Sequence, residues 1–120
     1  MEIRIVIAGC RYYDNYPEAK RFIDTVVQKF DKDARLIVLS GSCRGADILG
    51  EKYAAECGAI IERYPAQWNR YGKAAGVIRN QAMAELCDYV ICFWDGKSKG
   101  TKAMIECARK AGKAVEIKYI

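Results

Sequence analysis

The stretch "RLIVLSGSCRGAD", Arg35 to Asp47, decides the fold. Its first half is a nearly continuous apolar run, the composition of a strand buried on both faces. Its second half turns abruptly polar, with Gly41 and Gly45 punctuating Ser40, Ser42, Cys43 and the lone Arg44. Beyond it Ala46, Leu49, Tyr53, Ala54 and Cys57 recur at helical spacing, and Gly58 supplies a C-terminal stop. A buried strand, a glycine-punctuated loop and an amphipathic helix in that order form half of a parallel crossover unit.

The same unit recurs on both sides. "EIRIVIAG" (2–9) reads as a strand, followed by a helix over Pro17–Phe30 whose Ala19, Phe22, Ile23, Val26, Val27 and Phe30 share one stripe. "AIIERY" (59–64) is a third strand; a long polar connection, "PAQWNRYGKAAG", then leads to a helix at about 74–87. On that helix Ala75, Ile78, Ala82 and Leu86 form the expected core stripe, flanked by Arg79, Asn80 and Met83. "DYVICFW" (88–94) passes through "DGKSKG" into a helix carrying Met104, Cys107, Ala108 and Ala111, closed by Gly112, and the strand "AVEIKYI" ends the chain.

The order βαβαβαβαβ predicts an α/β, Rossmann-like, three-layer αβα fold around a five-stranded parallel sheet. The first, second and fourth strands are apolar on both faces and belong in the centre. "AIIERY" is polar at its end and "AVEIKYI" alternates, so both read as edges. Right-handed crossovers then give the order 3-2-1-4-5. Ligands of such sheets bind at the carboxyl ends of the strands, where the direction of growth reverses.

The 120 residues suit one domain, and neither linker nor repeat divides them, so 1–120 reads as a single unit. No apolar run approaches the ~20 residues of a membrane span and the start lacks the pattern of a secretory leader, which places the protein in the cytoplasm. The six cysteines include no C-x-x-C pair; Cys57, Cys87, Cys92 and Cys107 fall in apolar patterns and read as small buried hydrophobes. Histidine is absent, which removes the commonest general base and zinc ligand. No metal site and no cofactor is expected, and chemistry falls to carboxylates, arginine, lysine, hydroxyls or thiols. A net charge of +5 is too modest to announce nucleic acid by itself.

Four connections are expected to share the carboxyl rim: "GCRYYDNY", "SGSCRGAD", the loop leading to Arg79 and Asn80, and "WDGKSKGT". They hold Arg11, Arg44, Arg70, Lys73, Arg79, Lys97, Lys99 and Lys102, with Gly9, Gly41, Gly45, Gly96 and Gly100 among them. Glycines admit close backbone approach, helix N-termini offer free amides, and basic side chains complete an anion site. Two of these loops, each entering its helix through Ser or Thr, make a phosphate clamp the expected arrangement. It is not a Walker loop, because G-x-x-x-x-G-K-[ST] is absent, and "GCRYYD" fails G-x-G-x-x-G. Tyr12, Tyr13, Trp68 and Tyr71 lie nearby; a base stacks on one of these groups, with Trp68 and Tyr71 the candidates, or Trp68 is a plug under the long loop. Asp47 is either a ligand contact or the cap of its helix.

"AGCR", "SGSCRGAD", "YPAQWNRYGKAAGVIRNQAMAE" and "FWDGKSKGT", in that order across nearly the whole chain, resemble the YspA-type branch of the SLOG superfamily. Its relatives include the Lonely Guy phosphoribohydrolases and the DNA-processing protein DprA. The resemblance implies a nucleotide or nucleotide-derived ligand, with Gly9, Arg11, Ser40, Gly41, Ser42, Arg44, Gly45, Asp47, Asn80, Gly96, Ser98, Gly100 and Thr101 around it. Lonely Guy enzymes cleave the base from a ribose 5′-monophosphate with a P-G-G-x-G-T-x-x-E loop and an arginine. Here Gly100 and Thr101 match the G-T and Arg79 the arginine, but Met104 replaces the glutamate. N-glycosidic cleavage wants a carboxylate beside the sugar; Asp95 and Asp47 are the remaining rim carboxylates, and Arg79 and Asp95 are the catalytic candidates. Three functions follow in order: nucleotide binding as a sensor or sequestering protein, phosphoribohydrolase, and single-stranded nucleic-acid binding. Relatives commonly dimerise, so a homodimer is the expected assembly.

Overall fold

The computed structural model describes residues 1–120. Five strands, β1 (Glu2–Gly9), β2 (Arg35–Ser40), β3 (Ile60–Arg63), β4 (Tyr89–Trp94) and β5 (Ala114–Tyr119), form one parallel sheet in the order β3-β2-β1-β4-β5. The helices are α1 (Tyr16–Val27), α2 (Ala46–Cys57), α3 (Trp68–Tyr71), α4 (Ala75–Leu86) and α5 (Lys99–Lys110). Fold class, strand order and both edge strands are as the apolar patterns predict. None of the helices is long and apolar enough to cross a membrane.

The sheet divides the interior into two layers. On one face Ile5, Ile7, Val38, Ile91 and Phe93 meet α1 and α2 through Ile23, Val26, Leu49 and Tyr53. On the other Val6, Ile37, Leu39, Val90 and Cys92 meet α4 and α5 through Met83, Ala84, Met104 and Ile105. Burial on both faces explains why β1, β2 and β4 are continuously apolar. α2 lies so close to β1 that a Cβ on Gly50 would stand 2.7 Å from Ile7 Cβ. That helix position admits glycine alone.

Three expectations need correction. The connection after β3 is not structureless: α3 and a 3-10 turn over Gly72–Ala74 run directly into α4. α4 is rotated from its expected face, with Ala75, Asn80, Met83 and Ala84 buried, whereas Ile78 and Leu86 are 36% and 51% exposed. Apolar residues fall on more than one face of the helix, so its period does not select the inward side. The cysteines also divide: Cys10, Cys87 and Cys92 are buried, but Cys57 is exposed and Cys107 only half-buried.

Candidate functional site

A crevice of about 460 Å³ opens at the carboxyl ends of β1 and β4, between α4 and α5. This is the point where the sheet's order reverses. Its floor is Ala8 and Gly9 at the end of β1, where the adjoining loop adds Cys10, Arg11 and Tyr12. One wall is α4, with Arg79, Asn80 and Met83; the other is the start of α5, with Ser98, Gly100, Thr101 and Met104. Cys43 and Asp47 enter from the β2–α2 loop, and Trp68 from α3.

The α5 entrance is a turn shaped by side-chain acceptors. Asp95 Oδ1 accepts the amides of Lys97 and Ser98, both at 2.8 Å, and so shapes the turn that precedes the helix. Ser98 caps the helix by accepting the Thr101 amide at 3.4 Å. The amides of Lys99 and Gly100 have no acceptor within the chain, and Gly100 has no side chain to cover them. Free first-turn amides at the positive end of a twelve-residue helix attract anions. Arg11, on the same crevice lining, adds a positive charge.

The β2–α2 loop has a different task from the one its glycines suggest. A Cβ on Gly45, where φ is 77°, would strike Cys10 O and the Arg11 backbone, and one on Gly9 would strike Phe93 O. These glycines pack loop on loop and strand on strand. Ser40 turns away from the crevice and donates to Glu51 Oε2 at 2.6 Å while accepting the Ser42 amide at 3.1 Å. Glu51 is in turn gripped by Arg63 Nε and Nη2 at 3.1 and 2.9 Å. Ser42 and Arg44 do not line the crevice. α2 is entered through Gly45 with no side-chain cap, so Asp47 is not the capping residue. Of the residues expected in the two halves of a phosphate clamp, the crevice lining holds Asp47 from the β2–α2 side and Ser98, Gly100 and Thr101 from the α5 side.

Asp47 instead sits in the crevice, only 6% exposed. Its Oδ2 accepts the Cys43 amide at 3.2 Å. Burial pushes its carboxyl up to about 6, opposed by the Cys43 amide and the positive charges of Arg79 and Arg11. Arg79 spans the crevice wall: Nη1 donates to Gly41 O at 2.6 Å and Nε to Asn80 Oδ1 at 2.9 Å. A Cβ on Gly41 would stand 2.5 Å from Arg79 Nη1, so this glycine makes room for the guanidinium. Arg79 thus ties α4 to the β2–α2 loop.

Several expected site residues are not brought together. Asp95 is outside the crevice lining, and its remaining oxygen accepts the Tyr12 hydroxyl at 2.7 Å. The Ser98 amide, the Tyr12 hydroxyl and the Lys97 amide hold its carboxyl well below the usual range. Gly96 belongs to the same turn and also lies off the crevice, as do Arg70, Lys73, Lys97, Lys99 and Lys102. Tyr71 lies outside the crevice with Arg70 over its ring, whereas Trp68 and Tyr12 do reach it. Trp68 is 53% exposed rather than a buried plug, and the edge of its ring lies against α4 at Gly76. Tyr13 stacks on Phe93 in the core. Val77 and Ala103 also line the crevice although nothing in the sequence marks them for it, since an apolar residue's identity does not separate a crevice wall from a core. No three Cys, Asp or Glu side chains converge as a metal-binding set requires.

No family model matches the chain. The Gene 61 protein of Mycobacterium phage D29 is 35% identical over 83 residues, which cover 64% of this chain and 66% of the phage protein. The X-ray structure of DNA processing protein A (DprA) from Streptococcus pneumoniae superposes with a TM-score of 0.66 at 22% identity, over 98% of this chain and 50% of that one. The chain thus spans about half the length of DprA and less than two thirds of the phage protein's. Over nearly its whole extent, it has the α/β fold found in part of DNA processing protein A.

Proposed function

We propose that residues 1–120 form one SLOG-type domain that binds a nucleotide or nucleotide-derived phosphate ligand in this crevice, as a sensor or sequestering protein. One observation carries the reading. Gly100 with its free amide at the start of α5, Arg11 and the exposed Trp68 line a single cavity of about 460 Å³. That volume is in the usual range for a small-molecule site. Phosphate fits the amides and the guanidinium, and a base fits the indole face. The DprA-like fold and the four YspA-type motifs point to the same ligand class. Calorimetry against a panel of nucleotides is expected to show binding that Arg11→Ala weakens and Arg44→Ala leaves within about twofold. No heat with any nucleotide at millimolar concentration rejects the reading.

A second reading, N-glycosidic cleavage as in Lonely Guy enzymes, has one observation in its favour: a buried carboxyl, Asp47, does line the crevice. The position matched to the family glutamate works against it. Met104 is 2% exposed on the crevice wall and puts a thioether where the carboxylate is expected. Arg79 is held by Gly41 O and Asn80 and acts here as a positioning residue. Chromatography that finds free base released from a nucleoside monophosphate, with release abolished by Asp47→Ala, would establish the enzyme.

A further inference from the structure

We infer that Asp47 reads the non-phosphate part of the nucleotide: its Oδ1 accepts a hydrogen bond from a donor on the ligand, either a sugar hydroxyl or an amino group of the base. The inference rests on the nucleotide-binding reading and narrows it.

The two oxygens of Asp47 are unequal. Oδ2 is taken by the Cys43 amide, whereas Oδ1 has no partner within the chain. No fully buried polar side-chain atom lacks a partner, so this oxygen opens onto the crevice that the residue lines. The groups that face the carboxyl are Arg79 from α4, Arg11 from the loop after β1, Cys43 from its own loop, Glu51 from the next turn of α2, and Cys92 from β4. None forms a salt bridge with it: Arg79 directs Nη1 to Gly41 O and Nε to Asn80 Oδ1, and its Nη2 faces Cys43 Sγ at 3.8 Å. An ionised carboxylate can only accept, and one so deeply buried has lost hydration that a donor from outside must replace.

This fixes the ligand's direction. A phosphate offers no donor when ionised and repels the carboxylate, so it belongs at the α5 entrance. The donor-bearing part then points to Asp47. The ionised form is the one that binds, and with burial pushing the group up to about 6, that form is lost as pH falls through this value.

The test is calorimetry near neutral pH on the wild type and Asp47→Asn, with pyrophosphate and each of the four ribonucleoside 5′-monophosphates. The asparagine side chain keeps an acceptor for the Cys43 amide but presents an NH₂ group where Oδ1 stood. The best monophosphate is expected to bind the variant about tenfold or more weakly. Pyrophosphate is expected to bind at least as tightly, because a negative charge leaves the crevice. The tenfold difference vanishes with the 2′,3′-dideoxy analogue if sugar hydroxyls are the donor, and with the analogue lacking the exocyclic amino group if the base is. As pH falls below about 6, the two proteins' affinities should converge. Phosphate itself titrates near pH 6, so the wild-type-to-variant ratio is the quantity to follow. Monophosphate binding that Asp47→Asn leaves unchanged, or a difference that survives both analogues, overturns this inference alone. A wild type that binds none of the probes overturns the nucleotide reading and this inference with it.

Discussion

Asp47 carries a cost in stability that can be measured without any ligand. Its carboxyl is displaced from an ordinary 3.8 up to about 6, chiefly by burial, so the folded protein holds this proton more tightly than the unfolded chain does. The contribution is whole below about pH 4 and is lost as pH rises through 6. An asparagine side chain has no proton to lose. Asp47→Asn is therefore expected to gain on the wild type between pH 4 and 8, by an amount on the order of 3 kcal/mol. Urea denaturation of both proteins at the two ends of that range measures it, and a pH-independent difference would show that Asp47 titrates like an exposed acid. At this scale the sequence is only partly legible. Asp47 stands out as a rim carboxylate, but whether it caps α2 or faces the crevice depends on the backbone at Gly45, whose φ of 77° places the helix start one residue after it. The glycines mislead for a related reason. A missing Cβ at Gly41 or Gly45 serves a neighbouring guanidinium or carbonyl as readily as a ligand, and residue type alone does not distinguish the two uses.

Among the elements, the central strands are readable because burial on both faces leaves a continuous apolar run. α1 is readable because its Ala19, Ile23 and Val26 are buried on a single face while charged residues take the other. α4 is not. Apolar residues stand at Ala75, Val77, Ile78, Ala82, Met83, Ala84 and Leu86, so two faces compete for the interior. The contest is settled by what the helix must also hold: Arg79, which donates to Asn80 Oδ1, meets the β2–α2 loop at Gly41 O while Met83 and Ala84 face the sheet. Paired truncations test this orientation. Met83→Ala, at a side chain 2% exposed, is expected to cost about 2–5 kcal/mol. Leu86→Ala, at one 51% exposed, should cost less than about 1 kcal/mol. Denaturant midpoints for the two variants decide it, and comparable losses would return α4 to the face that its Ile78 and Leu86 suggest.

At the scale of the whole molecule, the crevice's single cavity sets the kind of ligand that can stabilise the fold. The loops after β1, β2 and β4 and the helices α3, α4 and α5 all contribute to its lining, so a ligand seated there bridges segments from both layers. Binding to the folded state alone, at about a hundred times the dissociation constant, adds about 2.7 kcal/mol. With the unfolding entropy usual for a chain of this length, that raises the melting temperature on the order of 10 °C. A mononucleotide fits within about 460 Å³, whereas a strand must run out across the rim, where Lys97 and Lys99 stand outside the cavity. Mononucleotide is therefore expected to produce nearly the full thermal shift at moderate salt. A single-stranded oligonucleotide at equal phosphate concentration should shift the protein less, and its effect should fade steeply as salt rises, because rim contacts act mainly through counterion release. Differential scanning calorimetry with both ligands over a salt series reads the contrast directly. A larger, salt-sensitive shift from the oligonucleotide, with none from the mononucleotide, would move the function from the crevice to the rim and make the basic loops the binding surface.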